Sequence, residues 1–158
     1  MDKLVLDTTY LLPIFGISVK LANFKTLFPK ILNAFHVLYN PVSVVEAKWI
    51  ALRVSRREPP RRDLILSRFR TGLKALLSDE RLSQTALTNP EVEVVTDKLL
   101  MEGGVSDYFD RLIYATAVYY DAILLTEDEE LHRVSESASL PKPKEVLRWA
   151  DLISRVRK

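Results

Sequence analysis

Apolar residues in this chain recur with two periods, and the switches between them predict the order of elements. Lys3 to Leu6 is a short apolar run closed by Asp7, the pattern of a strand buried on both faces. Thr8 to Pro13 reads as a turn into a short helix, because proline is accepted only in a first turn or at a break. Between 18 and 35, Val19, Ala22, Leu27, Ile31, Leu32 and Phe35 share a helical face. Ser18 is the expected N-cap there, and Pro29 marks a kink or a division into two helices. His36 to Tyr39 predicts a second strand, stopped by Asn40-Pro41. A helix then opens at Ser43 and runs to about Arg57. Glu58-Pro59-Pro60 breaks it, and another runs from about Asp63 to Leu77, giving a helical hairpin over about 43–77 with a proline elbow.

In the second half, Glu91 to Val95 alternates at first and predicts a third strand. Thr96 to Met101 reads as a helical turn closed by Gly103-Gly104. Ser106 or Asp107 caps a long helix to about Tyr120, and Ala122 to Thr126 is a fourth strand. Asp128 to Val134 is a short helix, Leu140 to Pro143 is extended, and Lys144 to Val156 is an amphipathic terminal helix. Apolar strands separated by helices predict an α/β fold with a parallel sheet covered on both faces. Sites in such sheets form beyond the carboxyl ends of the strands, so the residues just after each strand carry the chemistry.

Composition narrows that chemistry. The 158 residues fit one domain, 1–158, and 47% hydrophobic with 28% charged residues excludes a disordered chain. Without cysteine there is no disulfide scaffold, zinc–thiolate site or cysteine nucleophile, and two histidines do not furnish a multi-histidine metal site. Any metal is held by oxygen. The net charge of +2 hides a basic half, +5 over residues 1–100, and an acidic half, −3 over 101–158. No apolar run reaches the ~18 residues of a membrane span, and the expectation is a soluble, cytoplasmic protein.

Asp7 ends the first strand, Glu46 lies on the first turns of the helix after the second, Asp110 is near the start of the helix feeding the fourth, and Asp128 follows that strand. All four can face one end of the sheet. Clustered carboxylates raise one another's pKa, and hard cations remove that cost. Magnesium prefers oxygen ligands and binds through a few carboxylates plus substrate phosphate, which suits phosphodiester hydrolysis.

The motifs that carry these acids resemble a known family. Asp7-Thr8-Thr9-Tyr10-Leu11 after a strand, Ser43-Val44-Val45-Glu46 on a helix, Asp110 to Ala117 with its Ile-x-Ala-Thr-Ala run, and Leu124-Leu125-Thr126-Glu127-Asp128 together look like a PIN-domain nuclease. The resemblance spans residue 3 to about 134. It implies a three-layer α/β/α sandwich with a mostly parallel central sheet. It implies a ribonuclease directed at single-stranded RNA that leaves 5′-phosphate and 3′-hydroxyl ends. In that reading Asp7, Glu46, Asp110 and Asp128 hold Mg²⁺ or Mn²⁺, with Asp7 central, and Thr8 and Thr126 bond a carboxylate or a metal-bound water. Many small members are toxins neutralised by an antitoxin protein, and many form homodimers. Two departures matter. Asp107 lies one helical turn before Asp110, so either is a candidate third ligand, and Asp110 aligns better with the Ala-Thr-Ala run. Glu127, Glu129 and Glu130 crowd Asp128, and Glu130 is an alternative ligand there.

Arg53, Arg56, Arg57, Arg61, Arg62, Arg68 and Arg70, against Glu58 and Asp63, make the hairpin a basic patch for RNA or an acidic partner chain. His36 and His132 read as structural or exposed, and Trp49 and Trp149 as core or interface anchors. The alternative to a ribonuclease is a non-catalytic PIN-like module that binds RNA or a protein. A haloacid-dehalogenase-like phosphotransferase fits less well, because Asp7 has no second Asp two residues on.

Overall fold

The computed structural model describes residues 1–158 as a three-layer α/β/α sandwich around a five-stranded, all-parallel sheet. The strands are β1 (Lys3–Leu6), β2 (His36–Tyr39), β3 (Leu82–Gln84), β4 (Ile123–Leu125) and β5 (Glu145–Leu147), in the order β3-β2-β1-β4-β5. Seven α-helices connect them: α1 (Phe24–Ala34), α2 (Val42–Arg57), α3 (Arg62–Ser78), α4 (Pro90–Met101), α5 (Tyr108–Tyr119), α6 (Glu129–Ser135) and α7 (Trp149–Val156). Tight 3-10 turns at Thr8–Tyr10 and Leu12–Phe15 follow β1. No helix is long and apolar enough to cross a membrane.

The period of two decides which face each strand residue enters. Leu4 and Leu6, Val37 and Tyr39, and Ile123 and Leu125 join the core beneath α1, α2, α3 and α7. Val5, Leu38 and Leu124, the residues between them, join the opposite core beneath α4, α5 and α6. Both faces are covered, so the three central strands carry apolar residues at nearly every position. Gly72 brings α3 against the 3-10 turn, because a Cβ there would lie 2.2 Å from the carbonyl oxygen of Ile14.

Four expectations change. Residues 91–95 are not a strand but the first turns of α4. Asn89 caps that helix by accepting from the Val92 N–H at 2.8 Å, and Pro90 takes the first turn. Val92, Thr96 and Leu99 are buried at helical spacing, so cap and periodicity override the β-propensity of the valines. The third strand is instead Leu82–Gln84, an edge strand of three residues with no apolar run to announce it. Residues 145–147 are a strand on the other edge, so the terminal helix starts at Trp149 rather than Lys144; its edge position tolerates the charge of Glu145. Finally, α1 starts at Phe24 after Asn23, whose φ of 57° is left-handed, so Ser18 caps nothing; Pro29 sits on an exposed face within a single helix.

Candidate metal centre

From β1 the chain moves outward through β2 and β3 on one side, then returns to lay β4 and β5 on the other. The crevice beyond the carboxyl ends of β1 and β4 is therefore the topological switch point, where open α/β sheets place their sites. Asp7 is the first residue past β1, and its N–H donates to the Leu125 carbonyl at 3.0 Å, so the ladder itself fixes its backbone. The residue is 8% exposed. Oδ1 accepts from the Thr8 N–H at 2.7 Å and Oδ2 from the Thr126 hydroxyl at 2.6 Å. That hydroxyl, just past β4, accepts in turn from the Asp128 N–H at 3.0 Å. One threonine thus ties the acids of two neighbouring strand ends together.

Asp128 caps α6: its Oδ1 accepts from the Leu131 N–H at 3.0 Å. Asp107 caps α5, accepting at Oδ1 from the N–H groups of Phe109 at 2.8 Å and Asp110 at 3.3 Å. In both residues one oxygen anchors the side chain and the other is left without a protein donor. Glu46 on α2 meets Asp107 and Asp110 on α5, with one carboxylate oxygen from each lying within 4.8 Å of the others. The structure thus puts Asp107 and Asp110 together at Glu46 instead of choosing between them. Asp7 and Asp128 lie close enough for their charges to act on Glu46 and Asp110. Glu130 lies outside this group and pairs with Arg133 at 3.7 Å on its own helix. Glu127 accepts from the Trp149 N–H at 3.0 Å and holds the start of α7.

The acids strain against one another. Burial pushes the Asp7 carboxyl up to about 6; the hydrogen bonds from Thr126 and Thr8 oppose this, and the charges of Glu46 and Asp128 add to it. Asp110 is pushed up to about 8, first by burial and then by Asp7, Asp107, Asp128 and Glu46. Glu46 is raised mainly by burial and held back by the Thr8 hydroxyl and the Arg53 charge. The Thr8 hydroxyl is close enough to act on Glu46 but makes no hydrogen bond, and it is buried. The Ser43 hydroxyl, one turn before Glu46 on α2, is likewise buried and without a partner. A donor set of carboxylates and hydroxyls, with no histidine or cysteine in it, fits a hard divalent cation, and a dication offsets the charge repulsion.

Residues 4–137 match the model of the PIN domain. The chain belongs to the PIN-domain family. PIN domains are in general nucleases that use divalent metal, so a nuclease-type hydrolase fold carries this carboxylate cluster. Two solved structures share the PIN architecture seen here. VapBC2 from Rickettsia felis, in a crystal structure bound to a DNA fragment from its promoter, superposes with a TM-score of 0.61 at 15% identity, over 93% of this chain and 98% of that one. PAE2754 from Pyrobaculum aerophilum gives 0.62 at 13% identity, over 99% and 97%. At such identities the likeness is one of fold. No curated protein matches the sequence.

Within this PIN fold, sequence reading missed Asn40. It is fully buried, and its Oδ1 accepts from the Val42 N–H at 2.8 Å, starting α2. Its Nδ2 donates to Thr116 Oγ1 and to the Leu87 carbonyl, both at 2.9 Å. Asn40 therefore sets the helix of Glu46 against the helix of Asp110, and gives the threonine of the Ala-Thr-Ala run a physical reason. Its signal was a polar residue directly after an apolar strand, readable as more than a stop. Nε2 of His132 donates to the Thr126 carbonyl, 2.8 Å away, and buttresses the same turn. All seven arginines of the hairpin region are exposed. Arg61 pairs with Glu58 at 3.3 Å, whereas Arg53, Arg56, Arg57 and Arg62 have no ion-pair partner.

Proposed function

We propose that the protein is a metal-dependent ribonuclease acting on single-stranded RNA. The observation that carries the reading is the meeting of Glu46, Asp107 and Asp110 beside Asp7 and Asp128, which Thr126 links and whose charges reach the other acids. Those acids would hold Mg²⁺ or Mn²⁺, Asp7 at the centre and Glu46, Asp107, Asp110 and Asp128 around it. When bound, the cation supplies Lewis acidity toward the phosphate and a lowered pKa for water. The chain's own part is orientation. Thr126 fixes Asp7 and the Asp128 backbone in one hydrogen-bonded unit, and the Asp107 and Asp128 caps stop two acids from turning away. The N-termini of α5 and α6 also point positive dipole ends at the cluster, favouring anions there. Arg53, Arg56, Arg57, Arg61 and Arg62 would draw the RNA backbone toward the rim.

The protein is further proposed to act in the cytoplasm as the toxin of a toxin–antitoxin pair and as a homodimer. The support is membership of the PIN-domain family and the fold shared with VapBC2. Cleavage of a labelled single-stranded RNA with Mg²⁺ or Mn²⁺, with EDTA and Asp7→Asn as controls, tests the catalytic reading. Products from wild type alone, and only with metal, are expected. Equal cleavage by Asp7→Asn would overturn it. Absence of both cleavage and calorimetric metal binding would leave the non-catalytic binding module as the reading.

A further inference from the structure

Trp49 is 56% exposed, although the chain buries its other tryptophan, Trp149, to 3% and satisfies its N–H on the Ala22 carbonyl at 2.8 Å. Trp49 is one turn beyond Glu46 on α2, and Arg53 is a further turn along the same face. Its ring lies 5.0 Å from that of Phe109, tilted by 37°. Phe109 is half-buried and stands between Asp107 and Asp110 in the first turn of α5. An aromatic pair with an open outer ring is thus built onto the two helices that carry three of the five clustered acids. Tyr108 is exposed too, but its hydroxyl is committed to Glu93 and its ring to Arg111. Tyr119 lies at the far end of α5, away from the acids.

From this juxtaposition we infer that Trp49, backed by Phe109, is the stacking platform for one unpaired base of the RNA. The base sits beside the scissile phosphate, and Arg53 takes the backbone next to it. The inference deepens the ribonuclease reading and rests on it for the identity of the ligand. A flat exposed ring flanked by unpaired arginines suits a base and its phosphates better than an apolar protein surface, which would leave Arg53, Arg56 and Arg57 without partners. The site also selects single strands, because a duplex keeps its bases stacked on one another.

The test is binding of a fluorescein-labelled ten-nucleotide single-stranded RNA in EDTA, where cleavage plays no part. Wild type, Trp49→Ala and Trp49→Phe are followed by anisotropy and by tryptophan emission. RNA is expected to quench wild-type emission. Trp49→Phe, which keeps a ring and retains only the buried Trp149, loses the quenching and binds within about threefold of wild type. Trp49→Ala binds about tenfold or more weakly. Trp49→Ala binding within about twofold of wild type, or no quenching at saturation, would overturn the inference. So would intact RNA binding with a shift from dimer to monomer in sedimentation, which would make Trp49 a subunit contact. Loss of binding in Trp49→Ala together with no metal-dependent cleavage by wild type would leave the platform standing and sink the nuclease reading.

Discussion

Asp7, Asp107 and Asp128 are pinned by backbone N–H groups at the starts of the elements that follow them, whereas Arg53, Arg56, Arg57 and Arg62 project from the α2–α3 hairpin without an ion-pair partner. Asp7 is buried, Glu46, Asp110 and Asp128 are half-buried, and the arginines are all exposed. The two regions carry opposite charge and differ in how firmly hydrogen bonds tie their side chains down. A site that must hold a cation needs each oxygen fixed within a fraction of an ångström, and capping provides that fixation from the backbone. A surface that gathers a flexible polyanion needs only charge density, and long mobile side chains provide it. Acid positions should therefore respond sharply to single changes, and arginine positions gradually and in proportion to charge.

The sharpest break in that contrast is Asp7→Asn. Metal-dependent cleavage is expected to fall by a factor on the order of 10² or more, with the fold retained, since Asn keeps the acceptor for the Thr8 N–H. Single-turnover cleavage at saturating Mn²⁺ measures it. Thr126→Val comes next. It removes the donor to Asp7 and the acceptor for the Asp128 N–H without changing shape, and Mn²⁺ affinity by calorimetry is expected to drop ~10–100-fold. Thr126→Ser should restore most of it; no change in Thr126→Val would mean that the hydroxyl orients nothing.

The arginine side of the comparison is sharpened by a combined Arg53→Gln, Arg56→Gln and Arg57→Gln variant. Single-stranded RNA affinity should fall at low salt. The slope of log K against log salt should flatten by about 2, at roughly 0.7 for each phosphate no longer neutralised. An unchanged slope would show that the RNA does not touch this face. Arg61→Ala, by contrast, breaks only an exposed pair with Glu58 and should shift stability by less than about 1 kcal/mol by urea denaturation.

The same contrast governs what could be read in advance. Asp7 and Asp128 were legible because β1 and β4 are buried on both faces, and so announce their ends with an apolar run and a sudden acid. Glu46 needed the family resemblance, because a glutamate on a helix has no local mark. The Ala-Thr-Ala run favoured Asp110 over Asp107, but residues three apart on a helix share a face, and the fold brings both to Glu46. The capping and site readings of Asp7, Asp107 and Asp128 competed in sequence; in space they are the same geometry. The edge strands β3 and β5 were unreadable for a different reason. Each has three residues and a polar or charged member, and it pairs through backbone with one neighbour only. Residues 91–95 misled because valine marks β-propensity, while Asn89-Pro90 marked the helix start that prevailed.

A pH dependence of stability is expected on the acidic side alone. Asp7 and Asp110 bind their protons more tightly folded, at about 6 and about 8, than an ordinary aspartate near 3.9 does unfolded. The folded protein therefore holds more protons than the unfolded chain across this interval, and stability falls as pH rises. In EDTA the melting temperature should decline from about pH 4 through 6 and 8, as each carboxyl is forced to ionise out of water and beside its neighbours, and level off above that. Glu46, raised mainly by burial, adds to the same decline, whereas Asp79 and Glu145, held below the usual carboxylate range by Arg81 and Arg155, act only at lower pH. Asp7→Asn should flatten the first part of the decline and raise the metal-free melting temperature at pH 8 by a few degrees, about 2–4 °C per kcal/mol at this chain length. The gain is limited because the Asn amide must donate to the Thr126 hydroxyl, whose proton then loses its acceptor. Saturating Mn²⁺ should cancel the wild-type decline by neutralising the same charges, and should do little for Asp7→Asn. A metal-free melting temperature that rises between pH 5 and pH 8 would mean that the acids do not repel one another in the folded protein, and the distinction between the fixed acidic site and the free basic surface would lose its physical basis.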